Sequence, residues 1–227
     1  MSNPFLEGKI LLINKPYQWT SFDVVNKIRN AISKKIGIKK IKVGHAGTLD
    51  PLATGLLIIC TGKATKKISE LQGLEKCYSA TIKLGESTPS FDRETDINKS
   101  ISIANISNSD ILKVADSFLG DQEQYPPIFS AIKIRGEKLY NKARRGEKIK
   151  LKPRQIRIKT FKIINTNLPL IKCKICCSKG TYIRSIANDF GIKLNNVAHL
   201  YDLKRDSIGC YKLENATILE DFLNKLH

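Results

Sequence analysis

No apolar run in the sequence approaches the ~18 residues that a membrane-spanning helix needs. The first short run, residues 10–13, has Glu7 and Lys9 beside it and is too short for a secretory h-region. Neither membrane insertion nor export is expected. The six cysteines (Cys60, Cys77, Cys173, Cys176, Cys177 and Cys210) are therefore read as reduced thiols of a cytoplasmic protein. Cys173-x-x-Cys176-Cys177 resembles half a zinc site, but a second Cys/His pair of matching spacing is missing. Ile171, Cys173, Ile175 and Cys177 instead alternate with Lys172, Lys174, Cys176 and Ser178, the period of a strand with one buried face. No metal site is expected. Internal repeats are lacking too. Acidic residues are scarce: Asp+Glu is 21 against 39 for Lys+Arg, a net charge of 39 − 21 = +18.

That excess acts on polyanions by displacing their counterions, so nucleic acid is the default partner. Two plainer readings compete with it. One is an anionic membrane surface; the other is a composition rich in Ile, Lys and Asn that inflates lysine without functional demand. With 227 residues, 41% of them apolar and 26% charged, the chain can pack a core, and global disorder is not expected.

Residues 9–13 read as a strand. Thr20 or Ser21 can cap a helix whose apolar face is Val24, Val25, Ile28 and Ile32. A buried strand at 56–60 precedes a helix through Ala64, Ile68 and Leu71, and 78–84 is a further strand. Residues 89–109 form a polar, turn-rich excursion, and Ile111, Leu112, Ala115, Phe118 and Leu119 make a helix face. Strands are expected at 130–134, 156–164 and 170–178, then a helix capped by Thr181 through Ile183, Ile186, Ala187 and Phe190. A last helix is expected to open at Thr217, with Glu220 completing a capping box. Strands outnumber helices and often follow one another directly. This predicts an α+β fold with a mixed, largely antiparallel central sheet and flanking helices.

Ten basic residues lie between positions 133 and 154, opposed only by Glu137 and Glu147; Tyr140 is interleaved, with Tyr125 and Phe129 just before. Such a run is either a solvated face or a basic arm that grips a phosphate backbone. Its single sign favours the arm, with Lys133, Lys142, Arg144, Arg145 and Lys148 as contacts. The other stretch with chemical content is Gly44-His45-Ala46-Gly47-Thr48-Leu49-Asp50-Pro51-Leu52-Ala53-Thr54-Gly55. Its glycines allow tight turns and close backbone approach. Pro51 stiffens the chain after Asp50. By itself an Asp-Pro pair is more often just a turn.

The twelve-residue stretch closely resembles the signature loop of the bacterial TruB-type tRNA pseudouridine-55 synthases. Further pieces are similar to that family in its order: Leu12-Ile13-Asn14-Lys15-Pro16, Lys76-Cys77-Tyr78, residues 126–133 with their Pro-x-x-Ser-Ala-x-Lys pattern, Ser178-Lys179-Gly180-Thr181-Tyr182-Ile183-Arg184, and Ala198-His199 with Leu203-Lys204-Arg205. The resemblance spans roughly residues 9–209. It implies the pseudouridine synthase fold, and an enzyme that breaks the N1–C1′ bond of uridine 55 in the tRNA T-loop, rotates the flipped-out base and rejoins it through C5, without cofactor or metal. Asp50 would be the nucleophile; an ordinary aspartate titrates near ~3.9 and is an anion at neutral pH. Arg184 would pair with Asp50, Tyr78 would stack on the base and share in proton transfer, and Lys15, His45, Tyr182 and Leu203 would contact the substrate. The implied partner is the T-arm of tRNA, with no membrane and no obligatory protein partner.

The chain departs from the family in three places. The acidic stretch after the Tyr78 strand reads Thr88-Pro89-Ser90-Phe91-Asp92, and Lys204 stands where Arg is usual. Many members also continue into a C-terminal PUA domain, whereas residues 1–210 are expected to form the catalytic domain, arm included at about 125–154, and 211–227 only a short C-terminal helix. Two rivals remain: a basic RNA-binding protein without catalysis, and a pseudouridine synthase of the same fold acting on another RNA.

Overall fold

The computed structural model describes residues 3–130, 133–134, 137–139, 145, 147 and 151–226. They form two units, residues 1–78 with 203–227 and residues 79–202. The first unit opens with α1 (Pro4–Glu7), β1 (Ile10–Lys15), α2 (Ser21–Lys35), β2 (Val43–His45) and β3 (Thr54–Thr61). A 3-10 turn at Gly62–Lys67 then runs into α3 (Ile68–Gly73) and β4 (Lys76–Leu84), which carries the chain into the second unit. The apolar face read for α2 is real: Val24, Val25, Ile28 and Ile32 are all buried. β3 is apolar from Leu56 to Cys60 because both its faces are covered there. Leu57 and Ile59 pack with the α2 face, whereas Leu56, Ile58 and Cys60 pack with Leu71 and Ile208. Each such side chain contributes roughly 1.5–3 kcal/mol by leaving water.

The second unit continues with β5 (Glu86–Ser87), β6 (Lys99–Ser100), α4 (Asn108–Asp116), β7 (Gly120–Gln124), the short pair β8 (Lys133–Ile134) and β9 (Glu137–Lys138), β10 (Arg154–Asn167), β11 (Leu170–Cys177) and α5 (Ile183–Lys193). β10 pairs antiparallel with β7 on one side and β11 on the other. β11 buries Ile171, Cys173, Ile175 and Cys177, as its alternation requires. Phe118, Phe161 and Phe190 close this core with ring centroids 5.4 to 6.2 Å apart. β12 (Ala198–Ile208) then returns the chain to the first unit, where Lys204 and Arg205 pair in parallel with Thr54 and Gly55 of β3. β13 (Tyr211–Lys212) folds back on β12, β14 (Thr217–Ile218) lies parallel to β1, and α6 (Leu219–Asn224) buries Leu219. The fold is α+β with a mixed sheet, as the element pattern predicts.

Several local readings are corrected. Thr217 does not open a helix: the edge of β1 takes Thr217 and Ile218 as a parallel strand, and α6 starts at Leu219 without a side-chain cap. Thr181 does not cap α5, because its hydroxyl donates to the Ser178 carbonyl and Tyr182 holds the cap position. Of the strand expected at 130–134, only Lys133–Ile134 is described as one. Cys60, Cys173 and Cys210 are free thiols, but Cys77 and Cys176 are disulfide-bonded rather than reduced. Burial pushes the Cys173 thiol up to about 12, so it stays protonated. Among the described residues no helix is long and apolar enough to cross a membrane.

Candidate active site

Asp50 lies in the loop between β2 and β3. Its backbone is held on both sides. Just before it, the buried Ser21 hydroxyl donates to the Leu49 carbonyl (3.1 Å) and accepts from the Leu49 N–H (2.8 Å). That arrangement settles the two candidate caps of α2. Thr20 is the cap, in a capping box with Asp23, and Ser21 faces the loop. Just after Asp50, the Pro51 carbonyl accepts from Lys15 Nζ at 3.2 Å. Lys15 is fully buried at the end of β1, and its ammonium also donates to the carbonyls of Pro16 (2.9 Å) and Trp19 (2.5 Å). The three donors of an ammonium are thus turned to main-chain oxygens.

Arg205 reaches the same loop from β12. Nε donates to Leu56 O (2.7 Å), one terminal nitrogen to Gly47 O (3.0 Å) and the other to Thr48 O (3.4 Å). A hydrogen bond also joins it to the Tyr78 side chain. The strand approaches so closely that a Cβ at Gly55, whose φ is +103°, would lie 2.4 Å from the Arg205 carbonyl oxygen. This is the physical reason for the last glycine of the motif. Arg205 was noted in the sequence only as the end of the Leu203-Lys204-Arg205 match; a buried arginine in a strand has no local signature.

Charges act on one another here. Burial pulls Lys15 down to about 8, the Asp50 carboxylate and, more weakly, Asp23 favour its charge, and Arg205 opposes it. Burial likewise works against the Arg205 guanidinium, while Tyr78 and Asp50 support it. His45 is held below the usual histidine value by burial and by Arg205, against a backbone hydrogen bond at Gly47. Tyr78 and Leu203 are buried, and Asp50 is half-buried. The first unit therefore brings Asp50, Lys15 and Tyr78 into one network around Arg205.

Arg184 and Tyr182 belong to the second unit. Arg184, buried at the start of α5, donates through one terminal nitrogen to Ser90 O (3.2 Å) and Phe129 O (2.9 Å). Its Nε lies 3.6 Å from the buried carboxylate of Asp92. Within its own unit the arginine expected beside Asp50 thus has a different carboxylate partner. The sequence marked Asp92 only as the remainder of an acidic stretch. Tyr182 is fixed by the buried Gln124, whose amide donates to Tyr182 O (3.0 Å) and accepts from Tyr182 N (2.8 Å), and the Arg154 guanidinium sits 5.3 Å from its ring centroid. Gln124 was missed because a lone glutamine in a polar strand carries no pattern.

In the basic segment, Lys142, Arg144 and Lys148 lie outside the described residues, and of Lys133 only the backbone is described. Arg145 is exposed and held between Glu137 (2.6 Å) and Glu147 (2.6 Å), which raise its already high pKa. The two acids that interrupt the basic run both pair with this arginine.

A model of the TruB family of pseudouridylate synthases (N terminal domain) matches residues 33–183. The tRNA pseudouridine synthase B of Phocaeicola vulgatus is 50% identical over 218 residues, covering 96% of this chain and 93% of the relative. That of Flavobacterium johnsoniae is 51% identical over 223 residues, covering 96% and 97%. Among solved structures, a chain from the crystal structure of a Cbf5-Nop10-Gar1 complex superposes with a TM-score of 0.72 at 25% identity, covering 97% of this chain and 54% of that one. A chain from an H/ACA RNP bound to a substrate RNA containing 2'-deoxyuridine gives 0.69 at 23% identity, a likeness of fold alone. The chain spans about half the length of both solved chains. A signature loop fixed around its aspartate, together with relatives matched over nearly their whole length, shows that this chain belongs to the TruB family of pseudouridylate synthases, an enzyme that isomerises uridine to pseudouridine in tRNA.

Proposed function

We propose that the uridine is number 55 of the tRNA T-loop, flipped out of its stack, and that Asp50 is the nucleophile, acting in the cytoplasm without an obligatory protein partner. The observation that carries this reading is the setting of Asp50. It is a carboxylate on a loop pinned on both sides, and its charge is felt by two buried cations, Lys15 and Arg205. A nucleophile whose backbone cannot drift meets its target with most of the orientational entropy already lost. The reaction breaks N1–C1′ and forms C5–C1′; C5 loses a proton and N1 gains one, so mass is unchanged.

Flipping the base costs a few kcal/mol, and stacking on an aromatic ring returns roughly 1–3 kcal/mol. Tyr78 is the proposed stacking ring, with His45 and Leu203 beside the base. Lys15 contributes through the loop, since its donors are on main-chain oxygens. For Arg184 and Tyr182 the proposed role in the site rests on the family motif, supported by how firmly each is held within its own unit. Lys133, Lys142, Arg144 and Lys148 are the proposed phosphate contacts along the T-arm.

Asp50→Asn tests the nucleophile. The variant is expected to bind tRNA but to give no pseudouridine at position 55, read by carbodiimide labelling under single-turnover conditions. Conversion by the variant near the parent rate would remove Asp50 from this role. Parent activity at another uridine would remove the position-55 assignment.

A further inference from the structure

Arg205 is 1% exposed, one of the largest fully buried side chains in the molecule. A buried cation is costly, and an apolar residue would serve a merely packed strand position better. Each of its nitrogens donates to a main-chain oxygen of the segment around Asp50: Gly47 and Thr48 before it, Leu56 after it. It also hydrogen-bonds Tyr78. A planar fork presents five N–H donors in one fixed geometry, enough for three main-chain oxygens and Tyr78 together, where an ammonium has only three. Gly55 is bare so that the backbone of this same residue can lie against the loop.

We propose that Arg205 is a positioning residue of the isomerisation, setting the loop of Asp50 and the side chain of Tyr78 as one rigid piece. It touches neither the base nor the ribose and acts through those two groups. The proposal rests on the reading of Asp50 as nucleophile.

Arg205→Met and Arg205→Lys, made in the whole chain, are compared with the parent for thermal unfolding, tRNA affinity and single-turnover conversion at saturating tRNA. Arg205→Met is expected to lose about 100-fold in the single-turnover rate, the scale of a small misplacement of reacting groups. The tRNA Kd should stay within about threefold, because the lost interaction is felt only in the transition state. Arg205→Lys should recover part of the rate, about tenfold below the parent, since it keeps the charge but not the fork. The proposal is overturned by a folded Arg205→Met chain at the parent rate. It is also overturned by a loss confined to tRNA affinity, or by a loss in either variant that merely tracks the fraction unfolded. Asp50→Asn assayed alongside separates the two readings. Conversion by that variant sinks the nucleophile assignment itself, whereas a silent Asp50→Asn with fully active Arg205 variants sinks only the positioning role.

Discussion

Lys15 shows how a single residue in this family motif changes meaning once its surroundings are known. In sequence it is a cation next to a proline, to which the family resemblance gives a substrate contact; the structure adds that its buried ammonium ties Pro16, Trp19 and Pro51 together. The folded chain holds it at about 8, against 10.5 when unfolded. Between those values the unfolded chain binds more protons, so unfolding free energy rises with pH in that window. Below about 8 both states are protonated, and the cost of burying the charge is fully present. Urea titrations of the parent and Lys15→Met at a series of pH values should therefore show the stability gap moving in the parent's favour as pH climbs from about 8 towards 10.5. A gap that stays constant over that range would mean that Lys15 keeps its proton in the fold.

At the scale of elements, periodicity carried most of the fold. β3 and the inward face of α2 were legible because apolar residues recur at strand and helix spacing and tertiary packing agrees with them. β12 was not legible. Its residues include Lys204, Arg205 and Asp206, and its role depends on lying against Gly55 far back in the chain. Caps were half legible: Thr20 and Ser21 are equivalent by chemistry, and only the presence of Leu49 decides which hydroxyl turns inward. Thr20→Ala should cost about 1 kcal/mol in denaturant unfolding, the usual worth of an N-cap. Gly55→Ala should cost more, on the order of 3 kcal/mol, because it combines a strained φ with a clash against strand backbone that no side-chain movement relieves. A loss for Gly55→Ala below about 1 kcal/mol would show that the two strands separate easily there.

For the whole molecule, the net charge of +18 makes tRNA binding a salt-dependent equilibrium. If the basic segment grips phosphates, replacing Lys142, Arg144 and Lys148 together with alanine should make the plot of log K against log salt shallower by about 0.7 to 0.9 per lost contact. Arg145→Ala should change that slope less than any of the three, since Glu137 and Glu147 already neutralise it. A larger effect from Arg145 than from its neighbours would mean that RNA displaces both acids. The second unit is a single insertion, residues 79–202, between the two parts of the first. The Gly47 carbonyl and the Arg205 guanidinium that holds it are consequently 158 residues apart in the chain. At a synthesis rate of about 5–20 residues per second, roughly ten to thirty seconds pass between the emergence of one and the other. During that interval a nascent chain displays the complete aspartate motif without the clamp that orders it, and a translation product stopped within the insertion keeps the signature and has no working catalyst. A loop made early is armed by a strand made late.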